Sequence, residues 1–244
     1  MLINIIKMSQ EKQMMLEKLI RDVFSAEELQ KRLSAEDFKK YQHTTENVKY
    51  RKGEMLFDEQ ELPQNVYLIK KGTAKLAKQG SYGKEQILRF IKEDDLIGYR
   101  SILCGENFQA RAEAMTDIEA VKIPAEFFMY LLENDGKLSF VMLQKTAFEL
   151  GESANTVTFL AQKTVRERLA EILLLLEQKL GTDPEGFINI SLTREEIANL
   201  IGTATESAIR LISEFKQDKL IETEGRAIKI LNHDKLIKLG HVII

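Results

Sequence analysis

The feature that most constrains this chain is a change of hydrophobic period at Pro124. Between about Val48 and Ile123 the apolar residues come in short runs separated by Gly, Asn and Asp. Val66-Tyr67-Leu68-Ile69, Gln86-Ile87-Leu88-Arg89-Phe90 and Ala120-Val121-Lys122-Ile123 have strand length, and Gly53, Gly72, Gly80, Gly83, Gly98 and Gly105 punctuate the region. That pattern predicts an antiparallel barrel, roll or sandwich. Ahead of it, Ser25 to Tyr41 has helical spacing, with Ser25 and Ser34 as N-caps and Glu28 placed to complete a capping box with Ser25. From Pro124, read as the first residue of a helix, Phe127, Phe128, Leu131 and Leu132 recur at helical intervals.

Beyond Gly136 a proline-free segment runs to about Gln162. Its apolar positions Phe140, Leu143, Ala147, Leu150, Ala154, Val157 and Ala161 advance by alternating threes and fours, the spacing of a coiled-coil seam. Small residues at alternate seam positions let two backbones approach closely. The segment is therefore expected to be a dimer helix rather than one packed only on its own domain. A third regime starts at Thr164, where Val165, Leu169, Ile172, Leu173 and Leu176 form an amphipathic helix. A turn-rich connector follows from Gly181 to Gly186, and Ile188-Asn189-Ile190 then reads as a short strand.

The stretch from Leu192 to Ile212 has the marks of two helices joined by a tight turn. Thr193 with Glu196 makes a capping box, Ile197 and Ile201 supply a buried face, and Ala198 is small enough for a second helix to cross closely. Gly202 provides the left-handed residue that ends the first helix. Thr205 is placed to cap a second helix whose inner face is Ala208, Leu211, Ile212 and Phe215. Leu220 to Ile230 alternates around Gly225, as a β-hairpin wing does. A helix-turn-helix followed by a wing places its second helix in the major groove of DNA. On that helix Glu206 and Arg210 share a face beside Ser207. Arg can donate twice to guanine and Glu can accept from cytosine N4; the bland alternative is an intrahelical ion pair.

Charge argues for a local rather than a diffuse nucleic-acid contact. The formal net charge is -3, and between Phe187 and Leu231 the acidic residues slightly outnumber the basic ones. Phosphate contacts must then come from segregated cations, from helix-start N–H groups and from hydroxyls such as Thr193, Thr203 and Thr205. The single cysteine, Cys104, excludes an intramolecular disulfide and a Cys-ligated iron-sulfur cluster, and is expected to be a buried free thiol. His43, His233 and His241 lack metal-ligand spacing and are expected at the surface. Gly80-Ser81-Tyr82-Gly83-Lys84 lacks the spacing of a phosphate loop, and no paired nucleophile and base is evident, so an enzyme is not expected. The apolar opening Met1 to Ile6 is too short for a secretory signal, no run approaches the roughly 18 apolar residues of a membrane span, and the cytoplasm is the expected location.

Taken in order, these motifs resemble the Crp/Fnr family of bacterial transcription regulators, over nearly all of the chain after about residue 25. The resemblance is carried by Lys52 to Phe57, Val66 to Leu76, Asp95-Leu96-Ile97-Gly98, Ala110-Arg111-Ala112-Glu113-Ala114 and Thr203 to Leu211. It implies an α+β protein with N-terminal helices and an antiparallel β-roll sensor, jelly-roll-like, at residues 1–134. A dimerisation helix and hinge at 135–163 and a winged helix-turn-helix at 164–244 complete it. It also implies a homodimer on a palindromic DNA site, contact with RNA polymerase, and a small-molecule effector in the roll.

The resemblance has departures. Relatives that bind cyclic AMP place a Glu after the cassette glycine and an Arg-Ser pair before the Ala-x-x-x-Ala stretch; here those places hold Tyr99 and Phe108-Gln109. A buried phosphate needs a cationic or multiple-donor partner, so cyclic AMP is not expected. Gly98, Tyr99, Arg100, Ser101, Phe108, Gln109, Ala110 and Arg111 remain the expected effector pocket, open to another anionic ligand through Arg100, Ser101 and Arg111. Some relatives use haem, but no axial ligand is marked. Thr205 stands where many relatives have Arg, and Ile209 where Ser or Gly is common, so the half-site should differ from familiar ones. The rival reading is a ligand-binding or protein-docking module that does not engage DNA.

Overall fold

The computed structural model describes residues 2–80 and 83–241. Ser81 and Tyr82 of the Gly80 to Lys84 loop, and Met1 of the apolar opening, lie outside the described residues, as do the side chains of residues 2–11 and 13. The chain divides into two compact units, one of residues 10–150 and the other of residues 151–244 together with the residues up to Ser9, so that one division falls inside the long helix and another inside the first.

Helix α1 (Leu2–Val23) enters the unit of residues 10–150 at Gln10, and α2 (Ala26–Arg32) and α3 (Ala35–Thr44) follow it ahead of the strands. Ser25 and Ser34 cap α2 and α3 as expected, their hydroxyls accepting from Glu28 and Asp37 N–H. The reciprocal half of the expected Ser25–Glu28 capping box is not made, because the Ser25 N–H bonds the Asp22 carbonyl and the Glu28 carboxylate pairs with Lys31 and Lys137. Helix α1 was not among the sequence expectations. The strands are β1 (Glu46–Tyr50), β2 (Met55–Phe57), β3 (Asn65–Lys71), β4 (Ala74–Gln79), β5 (Glu85–Ile91), β6 (Leu96–Ile97), β7 (Arg111–Ala114) and β8 (Ile118–Pro124). They form two antiparallel four-stranded sheets, ordered β1-β8-β3-β6 and β2-β7-β4-β5.

Strand β3 shows how the sequence builds the roll. Its alternate residues Tyr67 and Ile69 join Phe57, Ile91, Phe108 and Ile118 in the core between the sheets. Val66 and Leu68 point the other way, into a second core with Phe24, Leu29, Phe128, Leu131 and Leu138 from the helices. A strand buried on both faces reads as an unbroken apolar run, which is what Val66 to Ile69 is. Burying each such side chain contributes about 1.5–3 kcal/mol.

Short α4 (Tyr99–Cys104) leaves β6 through Gly98, whose φ is +85°. A Cβ there would sit 3.1 Å from the Asn65 carbonyl oxygen, so only glycine fits without strain. Cys104 is exposed, against the expectation of burial, because it ends this surface helix, which turns its Tyr99 and Ser101 side inward. Helix α5 (Ala125–Asn134) has Pro124 as its N-cap rather than its first helical residue, because β8 extends through Pro124. Helix α6 (Gly136–Gln162) is continuous for 27 residues.

The second unit holds α7 (Val165–Leu180), α8 (Arg194–Ile201), α9 (Thr205–Gln217), a hairpin of β9 (Ile221–Glu224) and β10 (Ala227–Ile230), and α10 (His233–Leu239). Leu169, Leu173, Ile201, Ala208, Phe215, Ile221 and Leu236 are among its buried residues. The expected strand at Ile188 to Ile190 shrinks to isolated bridges, Thr182 with Ile188 and Phe187 with Lys229. The Asn189 side chain instead donates to the Leu180 carbonyl, and the backbone turns as Ile190 N–H bonds Ile188. The three histidines are exposed, His233 lying 2.7 Å from Glu177 and His241 3.2 Å from Glu167. No helix among the described residues is long and apolar enough to cross a membrane.

Candidate nucleic-acid interface and sensor roll

The helix-turn-helix follows from its local chemistry. Thr193 accepts from Glu196 N–H while the Glu196 carboxylate accepts from Thr193 N–H, closing the capping box at the start of α8. Gly202, at φ +66° and ψ +53°, ends the helix and returns its N–H to the Ala198 carbonyl. Helix α9 then begins at Thr205, with Ala204 as its N-cap and no side-chain cap. Thr205 is thus inside the helix rather than its cap, because the turn uses only Thr203 and Ala204 in extended or linking geometry.

Helix α9 buries Ala208, Ile212 and Phe215 and turns the opposite side outward. Intervals of three and four bring Glu206, Ile209, Arg210 and Ser213 onto that outward stripe, and all four are exposed. Glu206 and Arg210 take part in no ion pair or hydrogen bond with described residues, so the intrahelical pair does not form. Glu214 on α9 and Asp218 at its C-cap are held by Arg166. Arg166 donates to Glu214 at 2.6 Å and spans to Asp218 at 2.9 Å, with its guanidinium over the Phe215 ring. Arg194, at the start of α8, donates to the Gly225 carbonyl at the tip of the wing. Of the sequence-derived contact residues, Thr203, Thr205, Glu206, Ser207 and Arg210 cluster on the turn and first half of α9, whereas the Thr193 hydroxyl is already engaged in its cap.

Sequence reasoning missed Arg168 in α7. Its side chain is buried, yet among the described residues no carboxylate pairs with it: Nη1 donates to the Leu160 carbonyl at 2.6 Å and Nη2 to the Gly202 carbonyl at 3.3 Å. Both acceptors stand at helix C-terminal ends, where carbonyls carry a partial negative charge. Burial holds the guanidinium pKa below its usual value.

In the roll, the residues expected to form an effector pocket surround a filled interior. The Phe108 ring stacks on Phe57 at 4.0 Å, and Tyr67 closes on Phe57 at 5.8 Å. Arg100 is exposed beside Glu106, Ser101 is buried, and Gln109 donates to the Asn107 carbonyl. Arg111 Nε has no hydrogen-bond partner, but it lies 3.8 Å from Glu85 and 4.0 Å from Glu59. A cyclic nucleotide does not fit this arrangement, because its phosphate would meet the Glu59 and Glu85 carboxylates beside Arg111 and its base would have to displace Phe108.

Tyr99 belongs less to a pocket than to a buried ionic cluster that ties the roll to α6. Its hydroxyl donates to Glu149 at 2.6 Å. Lys145 lies 2.9 Å from Glu149 and 3.6 Å from Asp95, and Arg89 reaches both carboxylates at 3.4 Å. Burial alone would raise the Asp95 and Glu149 pKa values, but Arg89 and Lys145 hold both below the ordinary range. Burial and the neighbouring Glu149 push the Tyr99 hydroxyl well up, so it stays a proton donor. This cluster, too, was invisible to motif reading.

A double-sheet roll joined by a long helix to a winged helix-turn-helix defines a one-component regulator, in which a sensor unit and a DNA-binding unit share one chain. The comparisons agree. The family model described as the cyclic nucleotide-binding domain matches residues 47–135, and the Crp-like helix-turn-helix domain matches residues 167–239. The fumarate and nitrate reduction regulatory protein of Vibrio cholerae is 29% identical over 194 residues, 78% of this chain and 77% of its own length. The global nitrogen regulator of Synechococcus elongatus is 27% identical, across 75% of this chain and 84% of its own length. Among solved structures, FixK2 from Bradyrhizobium japonicum matches with a TM-score of 0.69 and 25% identity, over 80% of this chain and 96% of its own. A protein of Eubacterium rectale assigned to the Crp/Fnr family shares the fold at TM-score 0.75 and 20% identity, covering 87% of this chain and 97% of its own. The chain belongs to the Crp/Fnr family of transcription regulators.

Proposed function

We propose that this regulator is a cytoplasmic homodimer that binds a palindromic DNA site through paired α9 helices and acts on transcription there through contact with RNA polymerase. The observation that carries the reading is the outward stripe of α9, whose Glu206 and Arg210 are exposed and uncommitted on a rigid helix. Arg210 is assigned to guanine and Glu206 to cytosine, with Thr203, Thr205 and Ser207 toward the phosphates and Thr193 holding α8 in place. Dimerisation runs along α6. Phe140, Leu143, Ala147, Leu150, Ala154, Val157 and Ala161 are all exposed in the single chain, an apolar stripe that a second copy would cover.

The signal enters through the roll, in the segment from Gly98 to Arg111. Because Phe108 fills the interior, an effector there has to move that ring off Phe57. Tyr99 and Glu149 would pass the shift to α6, and the two recognition helices would then match or miss half-sites one helical turn apart. Binding of the full-length chain to promoter fragments, measured across salt concentrations, tests the reading. A steep salt slope with a two-fold-symmetric footprint supports it; fragment binding no different from that of a neutral control protein rejects it.

A further inference from the structure

The outward stripe of α9 contains one residue that neither an ion pair nor the core explains. Ile209 is 46% exposed, between Glu206 and Arg210 on the sequence of the stripe and one turn before Ser213. Its β-branched side chain is a poorer helix former than the polar residues common on helix surfaces, and exposing it loses burial. A scattered surface Ile needs no explanation on its own. This one stands at the centre of the only exposed, uncommitted reading face that the described α9 residues offer, and its partners there are polar.

We propose that Ile209 is a specificity-determining residue that packs on the C5 methyl of a thymine next to the base pairs read by Glu206 and Arg210. The thymine methyl group is the apolar group that protrudes into the major groove, and apolar side chains are its complement. Glu206 and Arg210 lie three residues before and one residue after Ile209, so contact with neighbouring base pairs holds the Ile side chain against the groove floor between them. Ile offers no donor or acceptor to the polar groups of any base edge, so the contact that distinguishes thymine is the one with its methyl.

This inference rests on the DNA-binding reading above, and the experiment separates the two. The full-length chain first selects duplexes from a pool of random sequence, and each thymine of the best duplex is then replaced singly by uracil, which removes only the methyl. At one thymine per half-site, uracil should weaken binding about fourfold, the worth of about one buried methyl. Every other uracil should be neutral. Ile209→Ala should abolish that sensitivity while leaving the salt slope of binding unchanged, and Ile209→Val should retain most of it. Uracil that is neutral everywhere for the wild type, or a methyl effect of equal size in Ile209→Ala, overturns the role of Ile209. Failure of the wild-type chain to enrich any sequence overturns the DNA-binding reading instead.

Discussion

Arg168 donates to the carbonyl of Gly202, 34 residues further along the chain, and with its other terminal nitrogen to that of Leu160. One guanidinium therefore joins the end of the long helix to the turn that aims the recognition helix. Its Nε is buried without a hydrogen-bond partner, so the side chain is committed to these two carbonyls alone. Hydrogen bonds from a charged group to backbone contribute about 1.5–3 kcal/mol each. Arg168→Met should lower the urea midpoint of the full-length protein and weaken DNA binding, whereas Arg168→Lys, which keeps the charge but reaches one carbonyl, should recover stability more than affinity. Equal recovery of both, measured by urea unfolding and by DNA titration, would make the residue a plain packing element.

Arg210→Ala should cost about 1 to 3 kcal/mol of DNA affinity and relax specificity at one base pair of each half-site. Because Arg210 has no partner among the described residues, the thermal midpoint of the variant should not move. Binding and selection experiments on the same preparation read both. An unchanged footprint and affinity reject the assignment.

The seam on α6 predicts a position-dependent break. Ala154 is exposed in the single chain and lies at the seam. Ala154→Glu places two carboxylates face to face across a dimer and should give a monomer in sedimentation velocity, with loss of site-specific binding. The same change at the exposed Asn155, off the seam, should leave the dimer intact. A dimer that survives Ala154→Glu moves the interface elsewhere.

The roll's filled interior predicts that cyclic AMP, at concentrations saturating for a typical cyclic-nucleotide sensor, shifts neither the thermal midpoint nor DNA affinity. Ligand that binds only the native state must stabilise it by mass action, so a clear rise in midpoint would refute the misfit. Phe108→Ala, which empties the stack on Phe57, should lower stability by about 3–5 kcal/mol.

What the sequence made legible was local. Thr193 with Glu196, Gly202, Ser25 and Ser34 are caps and turns whose partners lie within four residues, and the unbroken apolar run in β3 is read from its own residues. The same grammar erred by one residue at Pro124 and Thr205, where a strand or a turn next door decided the boundary. Arg168 carries no local signature, because its Gly202 partner lies 34 residues away. Lys145 has Glu149 one helical turn on and Asp95 has the Lys92 N–H three residues back, but the ion pair that joins Lys145 to Asp95 is set by how distant segments pack, and a buried charge looks in sequence like any surface charge. Cys104 shows the converse, since residue type favours burial and only its place at the end of α4 exposes it.

The cluster of Arg89, Asp95, Lys145, Glu149 and Tyr99 predicts a specific acid limb for the sensor unit. Asp95 and Glu149 are held below their ordinary pKa values, so each is a stronger acid in the folded than in the unfolded chain. Their contribution to stability is fully present above the unfolded values of about 4 and disappears as pH falls through the lower folded values. The chain has no tryptophan, which leaves Tyr99 among six tyrosines to report the region by fluorescence. Between pH 5 and the acid transition, stability of the wild type in urea should fall with pH, and Asp95→Asn should flatten that slope while lowering stability at neutral pH. Lys145→Met, which leaves Asp95 and Glu149 buried with one cation fewer, should cost about 3 kcal/mol at pH 7 and move the acid transition upward. Equal slopes in wild type and Asp95→Asn would mean that the cluster is not what links protonation to the fold.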